Sequence, residues 1–494
     1  MSIIFASKFV QILKTFSEAE LKAFRLWLRS PWCNSNKNLV TLLASLRKYY
    51  PDFDNDELTK ELLFKKILPK GKFSDRRMNN LLSEAYLAAE RFLIFQHLDQ
   101  NEDLRKDILS QEWQSRDHES WFFGITRKKI AQLEAKPTKD WEDHLELLQL
   151  HRRIYHYPNQ KLRMQTGAAT IQKMDEELEL TYLLEKAAII NEKMSRQSIL
   201  RGEIYETETE IKRWKAASQT HQHPALDFYK MRFAYTADNR LAHYWKLRKM
   251  FFERYQELGE IQQKIHLAAL LNDTNLFIRK KLIASTENLP IYKLGLETGS
   301  IFYKGKLSYA TYTTIIGASN TKKSFDFSLD VIRKYTQHLE SSFQMDCEIW
   351  AKAHTAYHMG QLEKSLQLLL HHHFSIPYFQ LLSRVLNTQV YFDLHLQDDS
   401  YQAFLFNYLN TFERWLARDK VWSQSGKKSF LRFVQRCRTL AKYYADPNFS
   451  MEKAAELLVE EKNIQSFDWL NHKKDEVIRI KTKRTAFQRK QSQR

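Results

Sequence analysis

Glycine and proline are scarce in this chain, at 11 and 9 of 494 residues or about 2% each, where roughly 7% and 5% are usual. So few breakers exclude a protein of many tight turns and leave long helices joined by short loops. Cysteine is scarcer still. Cys33, Cys347 and Cys437 lie far apart with no paired spacing, which excludes a disulfide framework and fits reduced thiols in a cytoplasm. No run approaches the roughly 18 apolar residues of a membrane span. The opening MSIIFASKFVQILKTF has neither a cationic head nor an apolar run long enough for a signal peptide. The expectation is a soluble, cytoplasmic protein with no membrane association.

Signatures of chemistry are missing as well. There is no G-x-G or G-x-x-x-x-G-K phosphate loop, no G-x-S-x-G elbow and no H-E-x-x-H. His371, His372 and His373 stand in a row, but adjacent helical residues are about 100° apart, so an unbroken helix cannot aim all three at one ion. Contact with helix-end carbonyls accounts for them. Asp52, Asp54 and Asp56 alternate as in a calcium loop, yet Glu57 replaces the required glycine and Leu63 the bidentate glutamate. Helix capping by Asp54 and Glu57 is the better reading. The chain is therefore expected to be no enzyme and to carry no metal and no cofactor; no catalytic residue is nominated.

What is present is helical periodicity from end to end, with 43% hydrophobic residues to fill a core. The expected fold class is all-α: an N-terminal helical bundle followed by a tetratricopeptide-like α-solenoid of helical hairpins. The organisation reads as a bundle over 1–100, a charged helical connector over 101–174, a hairpin array over 175–472, and a basic tail over 473–494, disordered past about 482. Ser17 and Glu20 spell a capping box. The helix they open carries Leu21, Phe24, Leu26, Trp27 and Leu28 and stops before Pro31. Ser74 opens a longer helix, Pro224 starts a helix pair that Gly259 closes, and Pro137 marks a break in AKPTKD.

Two stretches carry family resemblances. LKAFRLWLRSPWCNSNKNLVTLL, with YYPDF, ELLFKKILP and MNNLLSEAYLAAERFL, resembles the opening of an uncharacterised bacterial family of long helical proteins over about the first 95 residues. That resemblance implies no activity and no functional residues. Further on, Trp350 and Tyr357 stand seven apart before Gly360, followed by Ser365 at a small crossing position, Leu369 at an apolar one, and Pro377 at the end of the second helix. This unit resembles a tetratricopeptide repeat, which implies stacked helix pairs with a partner-binding surface. It departs from the family in a turn one residue short, in His354 where glycine or alanine is preferred, and in His372 for alanine. No second copy matches as well, so an irregular helical array stays open beside regular stacking.

Charge supplies the last clue. The chain is +18 overall, and bases exceed acids by ten in 401–494 alone. Lys428, Arg432 and Arg436 recur every four residues on one helix face, with Arg438 and Lys442 nearby. Phe430, Phe433, Val434, Cys437 and Leu440 take the other face. The tail adds Lys481, Lys483, Arg484, Arg489 and Lys490. These ten bases are the candidate partner-binding residues. The favoured function is a non-enzymatic helical-repeat scaffold or adaptor that binds a protein partner. The alternative is a nucleic-acid-binding or ribosome-associated protein using the basic stripe and tail.

Overall fold

A computed structural model of the chain describes residues 6–53, 58–199, 202, 204–234, 240–446, 449 and 464–492. The described residues form 22 α-helices and short 3-10 turns, with no strand among them; an isolated β-bridge joins Tyr303 to Lys306. All-α is correct. The chain divides into two compact units, one of Met1–Lys136 and Leu145–Leu178, the other of Pro137–His144 and Glu179–Arg494.

The first unit begins with α1 (Lys8–Leu13), α2 (Glu18–Arg29), α3 (Lys37–Leu46), α4 (Lys60–Ile67) and α5 (Asp75–Gln100). The capping box at α2 is formed: the Ser17 hydroxyl accepts from Glu20 N, and the Glu20 carboxylate accepts from Ser17 N at 2.7 Å. Leu21, Phe24 and Leu28 are buried at helical spacing, whereas Leu26, half a turn away, is 68% exposed. Phe24 packs on Phe92 of α5 with ring centroids 5.2 Å apart. Ser74 caps α5 as expected, and α4 takes its cap from Thr59. The expected cap at Asp54 and Glu57 lies outside the described residues. Next come α6 (Glu102–Ser115) and α7 (Glu119–Glu134), then α8 (Trp141–His156), which opens beyond the Pro137 break. The long α9 runs Gln160–Ile199.

The second unit continues through α10 (Thr207–Ala217), α11 (Pro224–Arg232), α12 (Arg240–Arg254), α13 (Glu260–Arg279) and α14 (Leu289–Thr298). Then follow α15 (Tyr309–Thr321), α16 (Phe325–Tyr335), α17 (Ser341–His358) and α18 (Leu362–Leu370). It ends with α19 (Pro377–Gln397), α20 (Gln402–Arg418), α21 (Gln424–Ala445) and α22 (Phe467–Ser492). From α11 onward each helix packs on the next, and α15 also touches α17, as α17 touches α19. Gly259 does not close α12; it is the extended residue before α13. There the carboxylate of Asp140 accepts from Ile261 N at 2.9 Å and Gln262 N at 3.0 Å. A β-carbon on Gly259 would fall 2.4 Å from that carboxylate, so the cap requires glycine.

The α17–α18 hairpin turns through Gly360 at φ +77°. Gln361 N reaches Ala356 O and Gly360 N reaches Tyr357 O, both at 2.9 Å, the double bond of a left-handed helix stop. Ser365 is fully buried, and its hydroxyl donates to Ala353 O at 2.8 Å, so the small residue lets the two helices touch. Trp350, Tyr357 and Leu369 are buried around this crossing. Pro377, expected to end the second helix, instead opens α19, where its missing N–H costs nothing.

The α15–α16 hairpin has the same construction. Lys323 sits at φ +58°, with Ser324 N bonded to Ser319 O at 2.8 Å and Lys323 N to Asn320 O at 2.9 Å. Lys323 stands 37 residues before Gly360, and the same offset pairs Ser328 with Ser365, Ile332 with Leu369, Gly317 with His354 and Asn320 with Tyr357. Ser328 is fully buried and Ile332 buried, as at their counterparts. The residue three before each turn also ties its pair to the next helix of the same rank. Asn320 Nδ2 donates to Thr355 Oγ1 of α17 at 3.1 Å, and Tyr357 donates to Asp393 of α19 at 2.7 Å.

Candidate binding surfaces

Helix α21 is amphipathic as expected. Phe433, Val434, Cys437 and Leu440 are buried and Phe430 is half-buried. Lys428 and Lys442 are exposed; Arg432 and Arg436 lie half-buried on the flanks. Arg438 is turned inward to α20, 2.6 Å from Glu413 Oε2 and 3.1 Å from Asn410 Oδ1. The stripe is thus split between bases facing water and a base spent on packing.

Helix α22 carries its backbone through to Ser492, across the segment expected to be disordered. Lys481 Nζ donates to the carbonyls of Tyr443, Asp446 and Phe449 at 2.7, 2.8 and 3.2 Å and lies 4.0 Å from the Tyr443 ring centroid. Burial lowers its pKa. This lysine clamps the end of α21 to α22. Lys483 is exposed; the side chains of Arg484, Arg489 and Lys490 lie outside the described residues. Near the start of α22, Lys473 sits 2.7 Å from Asp393 Oδ1 and 2.8 Å from Glu476 Oε2. Trp469 Nε1 donates to the Tyr357 hydroxyl at 2.7 Å. Burial raises the Asp393 pKa against the neighbouring ammonium. The first turns of α22 are therefore bound to the α17 and α19 hairpins by a polar knot.

A second feature had no signal in linear order. A cavity of about 310 Å³ opens among the end of α18, the loop after it, α19 and α20. Gln380, Ser383, Arg384 and Asn387 present one face of α19; Tyr408 and Trp415, seven apart, present α20. The Arg384 guanidinium lies 4.5 Å over the Trp415 ring. Burial pushes the Tyr408 phenol up to about 12, against the Arg384 charge and the Asn387 amide, which hold it down. None of the lining residues is Asp or Glu. A self-comparison at helical spacing would have put these residues on single faces, but not on one cavity.

Of the histidine run, His371 contacts a helix-end carbonyl as expected, whereas His372 turns to a carboxylate. His371 Nδ1 is 2.8 Å from Gln367 O, while His372 Nε2 is 2.7 Å from Asp346 Oδ1. Among the described residues, no three His, Cys, Asp or Glu side chains are grouped to hold a metal ion. Cys347 and Cys437 are buried, and burial pushes both thiols up, that of Cys347 to about 12. In the first unit, a cleft of about 500 Å³ is walled by Trp113 and Trp121, but its Lys106 and Lys129 are paired with Glu102, Asp103 and Glu146. No helix of the described residues is long and apolar enough to cross a membrane. No known family, curated protein or solved structure matches the chain.

Proposed function

We propose that this protein is a non-enzymatic, cytoplasmic helical-repeat scaffold, tetratricopeptide-like between α15 and α18, that holds a protein partner. The observation carrying this reading is the 37-residue recurrence: two hairpins share a left-handed stop, a buried crossing serine and a polar tie to the following hairpin. Hairpins built to one plan cannot bury both faces alone, and stacking them leaves a continuous surface for a partner. The bases favour the same reading over nucleic acid, because Arg438 and Lys481 are engaged inside the fold. Direct binding tests it. A protein that co-purifies with the full chain after nuclease treatment at moderate salt, and then binds it as a purified pair, supports the scaffold. Retention only of nuclease-sensitive material supports the nucleic-acid alternative, which Lys428, Lys442 and Lys483 would serve.

A further inference from the structure

Six cations crowd one short stretch of the first unit. Lys65 and Lys66 stand in the last turn of α4, Lys70 and Lys72 in the loop after it, and Arg76 and Arg77 in the first turn of α5. All six side chains are exposed, and among the described residues none of them makes an ion pair. Asp75, the one carboxylate between Lys65 and Arg77, is held 2.9 Å from Lys60 Nζ and 2.9 Å from Asn79 Nδ2. The loop itself is pinned. Gly71 N donates to Leu68 O at 3.0 Å, the Ser74 hydroxyl accepts from Arg77 N at 3.4 Å, and Phe73 packs on buried Phe64 with ring centroids 5.5 Å apart. Leu63, Phe64 and Ile67 face the core, which turns Leu62, Lys65 and Lys66 outward.

Helix ends account for only part of this charge. Lys65 and Lys66 meet the negative end of the α4 dipole, where cations are favourable. Arg76 and Arg77 stand at the positive end of α5, where cations are unfavourable. Like charges packed this closely repel one another and work against the fold, so stability does not explain the cluster. Carboxylates would neutralise it. The two guanidinium groups can each take a carboxylate through a planar fork, and the lysines add mobile point charges. Leu62, one turn before Lys65 and Lys66 on the same face, and Phe73, between Lys72 and Arg76 in the chain, are each 37% exposed and give apolar footing. Nucleic acid fits less well. Phe73 is the only exposed aromatic between positions 60 and 80, and it is committed to Phe64, so successive bases have no platform on which to stack. We propose that this basic knuckle docks an acidic segment of the protein partner, one whose carboxylates are interspersed with large apolar residues. The proposal rests on the scaffold reading and names the partner's chemistry.

The test uses the full chain and fluorescein-labelled peptides of twelve residues, read by anisotropy at about 150 mM salt, where distant charges are screened. A pool of Asp and Glu interspersed with Leu and Phe should bind, and the same pool with Asn and Gln for the acids should bind about tenfold or more weakly. An all-Glu peptide should also be weaker, for want of apolar contacts. Arg76→Glu with Arg77→Glu should lower affinity for the acidic pool by about tenfold or more, while the thermal midpoint holds or rises, since acids suit a helix N-terminus. Lys428→Glu with Lys442→Glu makes the same change in net charge at exposed sites on α21 and should leave peptide affinity unchanged. Failure of the acidic pool to bind, equal binding of the neutral or all-Glu peptides, or equal loss from the α21 pair would each overturn the proposal. So would affinity that falls only together with the thermal midpoint. A single-stranded oligonucleotide that binds more tightly than the peptides and is released by the same Arg76 and Arg77 changes would place nucleic acid on the knuckle instead. A purified partner that binds directly but is indifferent to Arg76→Glu with Arg77→Glu would remove the knuckle proposal and leave the scaffold standing.

Discussion

The ammonium of Lys481 rests on the carbonyl of Tyr443, 2.7 Å away, and closes the last turn of α21 from a different helix. Carbonyls at a helix C-terminus lack intrahelical partners, and a cation there both satisfies them and meets the negative end of the helix dipole. Lys481→Met should therefore destabilise the protein by about 1–2 kcal/mol, read by urea unfolding. Lys483→Met, two residues on and exposed, should be close to neutral. Equal effects would mean that the clamp carries no weight.

The two hairpin stops make a reciprocal prediction. At Gly360 a β-carbon would meet nothing within 4 Å, so any cost of substitution is backbone strain alone. Gly360→Ala should lose about 1 kcal/mol, and Gly360→Val somewhat more because of its branched β-carbon. Lys323 has an exposed side chain in the same left-handed conformation, so Lys323→Gly should gain up to about 1 kcal/mol. Gln361→Ala, at an exposed position without a side-chain cap bond, serves as the neutral control. Thermal or urea unfolding of the four variants decides it.

These stops also show where sequence reasoning reached and where it ended. Gly360 declares its conformation, and Trp350, Tyr357, Ser365 and Leu369 follow from helical spacing. Lys323 hides the second copy because lysine carries no left-handed preference; only Ser328 and Ile332, matched at the same offset, would have pointed to it. Ser17 and Glu20 were legible because both halves of the cap lie within four residues. Asp140 caps α13 from 121 residues upstream of Ile261, and no local pattern encodes such a partner. The same holds for Lys481, which composition places in a free basic tail and packing places on α21. The α19 cavity draws on three helices and a loop, so its lining comes together only in three dimensions.

A buried ion pair should dominate the energetics of α11 and α13. Arg232 Nη1 stands 2.5 Å from Asp273 Oδ2, with both side chains 2% exposed, and Arg240 approaches the other carboxylate oxygen at 3.4 Å. Asp273→Ala strands the Arg232 charge in a dry interior and should cost about 3–5 kcal/mol. Replacing both partners, Arg232→Met with Asp273→Leu, removes the stranded charge and should recover most of that loss. Urea midpoints for the single and double variants test this; a double variant no better than the single would contradict it.

Buried histidines should make the fold sensitive to mild acid. Burial, with His144 alongside, lowers His223 to about 4; burial lowers His358 to about 4. His266, enclosed near Arg232, falls to about 3. In the unfolded chain each titrates near 6.5, so as pH falls below that value the unfolded state takes up protons that the folded state refuses. Stability is whole above about 6.5 and declines toward the folded values, by at most about 1.4 kcal/mol per pH unit for each histidine. The His266 ring packs 5.2 Å from Phe228 and 4.5 Å from Tyr229, and its Nε2 has no partner among the described residues. His266→Phe should thus keep the packing and flatten the decline between pH 6.5 and 4.5. An unchanged slope would mean that His266 is not held neutral.

The basic end yields the test that divides the two functions. Cutting the chain after about 480 would remove the Lys481 clamp along with the arm, and so confuse unfolding with lost affinity. A stop after Lys483 keeps the clamp and removes Arg484, Arg489, Lys490 and Arg494. If the arm binds phosphates, that truncation should lower affinity for RNA or DNA and reduce the slope of log affinity against log salt by about 0.7–0.9 per lost contact. Changing Lys428, Arg432 and Arg436 together to Gln should add to the loss if α21 continues the same surface. Arg438→Gln should instead act on stability, since its charge is committed to Glu413. Fluorescence anisotropy with a labelled oligonucleotide at several salt concentrations reads all of these. The scaffold reading expects no measurable affinity through this end of the chain even at low salt, because the candidate bases exposed among the described residues, Lys428, Lys442 and Lys483, are too few to give more than weak, nonspecific attraction. Salt-dependent binding that falls with each set of substitutions would move the basic end, and with it the protein, to the nucleic-acid class.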